Sequence, residues 1–189
     1  LGYKNYTAFK DEVIFERIVR LKQIRDRYES FEKNKIIQIM SQLRHHLINM
    51  DEIDKICKQI NEHERFIAYG SPTLLNLLFD FQVDMKIFDK TVLLSSVNNG
   101  KILVPKNNDL IGLFTATGRL LGCCDAKFQE VVLDTKNTKI LFSKSQINSE
   151  YIDFSFSMDT DNDYYEMHYV FLFLFDLIKT RYYELYIKE

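Results

Sequence analysis

Three features of this 189-residue sequence predict an α+β fold: charged helical stripes in the first third, apolar runs broken by turn residues in the middle, and a strongly apolar helix at the end. The expected architecture is an N-terminal helical hairpin or bundle, an antiparallel β-sheet of about five to seven strands, and a C-terminal helix packed on the core. Residues 1–64 form the helical segment and residues 65–189 the mixed one, sharing one core.

The helical part rests on periodicity. Val13, Ile14, Ile18, Leu21, Ile24, Tyr28 and Phe31 recur every three or four residues, with Glu16, Arg17, Arg20 and Arg25 on the other face. Ile36, Ile37, Met40, Leu43, Leu47 and Ile48 form the inward set of a second helix. A third starts at Asp51, read as its N-cap, and buries Ile53, Ile56, Cys57 and Ile60.

The pattern changes near Arg65. Phe66, Ile67 and Ala68 predict a short strand, and Gly70-Ser71-Pro72 a turn opening a helix, with Ser71 as cap and Pro72 in its first position. Met85 to Val104 reads closer to period two, and Asn98-Asn99-Gly100 between apolar runs signals a hairpin. Leu110, Leu113, Phe114, Thr117, Leu120 and Leu121 sit at helical offsets, so a helix is expected over 108–122. The runs 128–133 and 139–142 flank a hairpin loop at Asp134 to Thr138. Alternation from Tyr151 to Met158 predicts a strand with one buried face. The acidic stretch Asp159 to Asp163 then caps a final helix from Tyr164 to Ile187.

Composition narrows the function. The chain is 46% hydrophobic and 28% charged, with net charge −2, which is not the basic footprint of a protein held by phosphate contacts. The apolar run Tyr169 to Ile178 falls well short of the about 20 residues a membrane span needs, so no membrane partner is expected. Cys57, Cys123 and Cys124 are odd in number and lack zinc spacing, which places the chain in a reducing, cytoplasmic setting. Asp159, Asp161 and Asp163 lack the glycine and the final glutamate of a calcium loop, so neither a metal nor another cofactor is expected.

Two resemblances are visible. Arg44-His45-His46-Leu47-Ile48-Asn49 resembles the R-x4-6-H motif of HEPN-type ribonucleases. In those proteins, the resemblance implies, Arg44 and His45 would act on the phosphodiester and the 2′-hydroxyl. Asn49 stands where the second catalytic histidine belongs, and an amide is no acid or base at neutral pH. The chain also resembles a loose group of small uncharacterised bacterial proteins: Leu43-Arg44-His45-His46-Leu47 stands where they carry an L-R-x-L-L helix, and Asn108-Asp109-Leu110-Ile111 with a later Gly122-Cys123 where they carry an R-D-L-I helix ending in Gly-Gly, Asn108 replacing the Arg and Cys123 the second Gly. That resemblance implies a fold order and no chemistry.

With no complete catalytic set, the sequence reads as a non-enzymatic protein-binding or assembly module, a domain within a larger protein, whose partner is another protein or a second copy. The alternative is an RNA-binding or HEPN-like ribonuclease domain, with Arg44, His45 and Asn49 at its site and Arg17, Arg20 and Arg44 holding nucleic acid.

Overall fold

The computed structural model describes residues 49–97, 102–116, 118–122, 125–144, 146–157 and 166–188. All lie in the unit Leu43–Glu189, one of two into which the chain divides. The elements are α1 (Met50–Glu62), β1 (Arg65–Gly70), α2 (Pro72–Leu75), a 3-10 turn (Asn76–Leu78), α3 (Phe79–Ile87), β2 (Thr91–Ser96), β3 (Asp109–Thr115), α4 (Arg119–Gly122), α5 (Ala126–Phe128), a π-helical turn (Gln129–Leu133), β4 (Lys139–Ser143), β5 (Phe154–Ser157) and α6 (Glu166–Tyr186).

The five strands form one sheet in the order β2-β1-β3-β4-β5, and every neighbouring pair is parallel. The fold is therefore α/β. This corrects the expected α+β architecture with its antiparallel sheet. The physical reason is burial on both faces. Every residue of β3 and β4 is buried, and so is every residue of β1 after Arg65. Such strands read as continuous apolar runs and lose the alternation that marks a half-solvated sheet.

The same effect disguised β3. With Leu110, Ile111, Leu113 and Phe114 all buried, helical offsets are met by chance, and the expected helix over 108–122 is a strand followed by the short α4. Two expected hairpins are also absent. β2 pairs in parallel with β1, and Ile102 to Val104 is not a strand. The run 128–133 is a helical turn, so 134–138 joins a helix to β4. Asn98 to Gly100 and the acidic loop at 159–163 lie outside the described residues.

Other expectations hold. α1 buries Ile53, Ile56, Cys57 and Ile60, although its cap is Asn49, not Asp51. Ser71 caps α2 with Pro72 in its first turn. The last helix runs from Glu166 to Tyr186.

The sheet's two faces are covered differently. On one face lie Phe66, Leu110, Phe114, Ile140, Phe142 and Phe156, where Phe66 meets α3, and Phe114 and Phe142 meet α6. Aromatic rings dominate there. Phe114 stacks on Phe142 with centroids 4.6 Å apart, and Phe175 of α6 lies 5.4 Å from Phe114 and 4.9 Å from Phe81 of α3. On the other face Ile67, Tyr69, Ile111, Leu113 and Leu141 pack with Phe128, Val132 and Leu133. The β2–β3 connection returns over this face. Tyr69 donates its hydroxyl to Leu103 O at 2.7 Å, and Leu103 N donates to Ser95 Oγ at 3.1 Å.

Candidate functional site

A parallel sheet with helices on both faces opens a crevice where its strand order reverses, outside the carboxyl ends of the strands. Here the reversal lies between β1 and β3. The chain leaves β1 through Ser71 and α2 toward the face of α3, where Phe81 meets Phe66 at 6.4 Å. It leaves β3 toward the opposite face, where Leu120 and Leu121 pack against the second core cluster. The two connections diverge and leave the carboxyl ends of β1 and β3 between them.

Small and hydroxyl-bearing residues end the strands at this edge. Gly70 closes β1 and pairs with Ser96, the last residue of β2. Thr115 closes β3, Ser143 closes β4 and Ser157 closes β5, and these three are register partners on one face. Ser71 follows Gly70, and its Oγ accepts from Leu74 N at 3.5 Å. Ser157 donates to Lys144 O at 3.4 Å. Thr115 and Ser143 are buried, whereas Ser71, Ser96 and Ser157 are half-buried. In the turns directly after β1, β3 and β4, the charged side chains among the described residues are Arg119, exposed, and Lys144, half-buried. Gly118 makes the turn into α4 with φ +76°, and a methyl group there would lie 2.7 Å from Ile147 Cδ1. Hydroxyls and two cations at one edge suit an anionic, hydroxyl-rich ligand.

The opposite edge is a structural clasp. An open pocket of about 430 Å³ lies there, lined by Leu133, Thr135, Asn137, Lys139, Tyr151 and Asp153 among others. Its central polar groups serve the fold. Lys139 Nζ donates to Thr135 O and Asn137 O, Asp153 Oδ2 accepts from Lys139 N, and Asn137 Nδ2 bonds Lys106 O and Asp109 O. Burial holds the Lys139 ammonium below its ordinary pKa. These groups tie the start of β4 to its neighbours.

Of the residues singled out from sequence, Arg17, Arg20, Arg44 and His45 lie outside the described residues, as do Cys123 and Cys124. Asn49 is exposed and caps α1 through its carbonyl, which accepts from Glu52 N at 3.0 Å and Ile53 N at 3.2 Å. Cys57 is buried, its thiol pushed up to about 12 by burial, which makes it inert. Among the described residues no group of His, Cys, Asp and Glu is placed to hold a metal ion, and no helix is long and apolar enough to cross a membrane.

No protein-family profile matches the chain, and no curated protein does. Solved structures do resemble it. A Methanococcus jannaschii protein, whose structure infers the function of a 3-hexulose-6-phosphate isomerase, has a TM-score of 0.63 at 14% identity and covers 79% of this chain and 87% of its own. The Vibrio vulnificus NanR protein, solved with ManNAc-6P, has a TM-score of 0.64 at 12% identity, over 98% of this chain and 71% of its own. A Listeria monocytogenes protein, classed by inference as a sugar-phosphate isomerase, has a TM-score of 0.57 at 14% identity, over 82% and 92%. What the chain shares with them is the fold, α/β and Rossmann-like, on a parallel sheet.

These likenesses correct three sequence readings. The structural relatives are sugar-phosphate proteins, not a loose group of small bacterial proteins. A HEPN-type body is all-helical, whereas this chain is built on a parallel sheet. The protein-assembly reading, which rested on finding no complete catalytic set and no cofactor fingerprint, is not supported by these likenesses.

Proposed function

We propose that this domain binds a phosphorylated sugar at the carboxyl edge of its sheet, in the crevice between the connections leaving β1 and β3. One observation carries the proposal: Ser96, Thr115, Ser143 and Ser157 end four of the five strands, beside Gly70 and Ser71 at the point where strand order reverses. Hydroxyl side chains both donate and accept, so they serve sugar hydroxyls and phosphate oxygens alike. Arg119 supplies a planar donor fork suited to phosphate, and Lys144 a second positive charge. The sugar phosphates in the names of the structural relatives support the same ligand class.

Thermal unfolding of the purified chain against a panel of hexose 6-phosphates, pentose 5-phosphates and N-acetylhexosamine 6-phosphates tests this. A ligand at a hundred times its Kd stabilises the folded state by about 2.7 kcal/mol, a rise of several degrees in Tm. The same sugars without phosphate should give smaller shifts. No shift with any member of the panel, confirmed by calorimetric titration, overturns the proposal.

A further inference from the structure

The connection from β4 to β5 reaches the candidate site through one side chain. Parallel strands are usually joined by a helix, but Gln146 to Asp153 return to the amino edge of the sheet as irregular chain. Their far end is tied down. Asp153 N donates to Lys139 O at 3.2 Å, and Asp153 Oδ2 accepts from Lys139 N at 2.7 Å. The Tyr151 hydroxyl accepts from Gln129 Nε2 at 3.2 Å, and Ile152 N donates to Ser149 O at 3.2 Å. The near end differs: Gln146, Ile147 and Asn148 have no hydrogen bond to another described residue. What holds this stretch is the Ile147 side chain, half-buried on the core cluster that Leu120 and Leu121 also pack against.

Ile147 ends against Gly118. A Cβ on Gly118 would lie 2.7 Å from Ile147 Cδ1 and 3.7 Å from its Cγ1, so the contact exists only because residue 118 has no side chain. Glycine there meets two demands at once, the φ of +76° and the open space that Cδ1 occupies. The turn it makes has little support of its own. α4 has four residues, and Leu121 N donates to Gly118 O at 3.0 Å. A helix this short does not hold its shape unaided, so its position depends on what packs against it. Leu120 and Leu121 anchor it to the core, and Ile147 closes on it at Gly118, one residue before the exposed Arg119.

We infer that Ile147 is a positioning residue of the candidate site: it clamps the Gly118 turn, and so fixes where Arg119 and the adjoining backbone stand when a sugar phosphate binds. The inference rests on the sugar-phosphate reading of the carboxyl edge. Ile147 touches no ligand atom and acts only through the turn. A turn that samples several geometries must be ordered when the ligand arrives, and that ordering subtracts from affinity. A clamp already closed in the free protein removes that cost. The cost falls on the phosphate end of the ligand, because Arg119 follows the clamped residue.

Amide hydrogen exchange and calorimetric titration of the full chain test the clamp. Exchange needs no ligand: Ile147→Ala should speed it about tenfold at the Leu121 amide, which opens with the turn. The Phe128 amide, which donates to Asp125 Oδ1 at 2.7 Å in the next short helix, should keep its rate. Titration uses the sugar phosphate of the panel above that binds wild type most tightly, and the same sugar without phosphate. Ile147→Ala should weaken the phosphorylated sugar about tenfold and leave the other unchanged. Ile147→Leu, which keeps the volume, should recover most of both effects. Should Ile147→Ala fail to fold, Ile147→Val decides, because it removes only the Cδ1 methyl that faces Gly118. An unchanged Leu121 amide, equal quickening at Phe128, or an affinity that Ile147→Ala does not move overturns the clamp alone. A wild-type chain that binds no sugar phosphate overturns the site reading and the clamp with it.

Discussion

Arg65 and Asp109 close the amino edge of the sheet as a forked ion pair. Arg65 Nε donates to Asp109 Oδ1 at 2.7 Å and Nη2 to Oδ2, while Lys106 N also donates to Oδ2 at 2.6 Å. The two residues are register partners at the first positions of β1 and β3, the strands that flank the candidate site at their other ends. The pair thus fixes the spacing of the strands whose far ends frame the crevice.

The Asp109 side chain is only 2% exposed. Burial alone would raise its pKa, but the hydrogen bonds from Arg65 and Lys106 N outweigh burial and hold the carboxyl below its ordinary value. Arg65→Ala leaves a buried carboxylate without its counter-ion and should cost about 3 kcal/mol. That loss is read as a lower urea midpoint at unchanged slope. A carboxyl whose folded pKa lies below its unfolded one gives stability that is complete above the unfolded value and fades as pH falls through the folded one. The stability difference between wild type and Asp109→Asn should therefore be flat above about pH 5 and shrink below about pH 4. A difference that stays constant down to pH 2 contradicts this assignment.

Gly112 sits in the middle of β3, where a side chain would collide with the aromatic core. A methyl group there would lie 2.5 Å from Phe66 Cζ and 2.9 Å from Phe114 Cε2. Gly112→Ala should cost about 1–3 kcal/mol through overpacking, despite the better strand propensity of alanine. Combining it with Phe66→Leu should recover part of the loss, since the smaller side chain vacates the contested volume. Denaturant melts of the two single variants and the double variant measure the coupling. Strictly additive losses would place the strain elsewhere.

How much of this could be read from the sequence depends on how each element is solvated. α1 was legible because one face is wet: Ile53, Ile56, Cys57 and Ile60 alternate with polar residues at helical spacing. The Gly70-Ser71-Pro72 turn was legible because its chemistry is local, a capping hydroxyl and a proline in the first turn. β3 was not, since burial on both faces erases periodicity. The end of α3 was missed in another way: Met85 to Ile87 was taken into a run of period two, although these residues are helical. The hydroxyls of the candidate site lie at Ser71, Ser96, Thr115, Ser143 and Ser157, and no spacing rule joins them. Only the parallel crossover order does. One available signal was the strand–helix–strand order from Arg65 to Ser96, which favours a parallel pair over a hairpin.

Phe175 of α6 joins the helical layer to the sheet. It is buried and lies within 4.9–5.7 Å of Phe81, Phe114 and Phe142 by ring centroid. Phe175→Ala should cost about 3–5 kcal/mol, since three rings border the cavity and cannot all collapse into it. Phe175→Leu should cost markedly less. Equal losses for the two would mean that volume is not what the ring supplies.

The candidate site makes a sharper demand, because stability and binding should separate there. Thr115 is buried at the carboxyl end of β3, in register with Ser143. Thr115→Val keeps its shape and removes its hydroxyl. If that hydroxyl meets the ligand, the variant should lose no more than about 1 kcal/mol of stability yet bind the sugar phosphate roughly ten- to a hundredfold more weakly. Arg119 is exposed, so Arg119→Ala should leave stability within about 0.5 kcal/mol of wild type. Its effect on binding should depend on the phosphate: affinity for the phosphorylated sugar falls and its salt dependence flattens, while the weak affinity for the unphosphorylated sugar stays the same. Calorimetric titration of both ligands at two salt concentrations reads this directly. An equal loss for the two ligands would move Arg119 away from the phosphate, and no loss for either would remove it from the site.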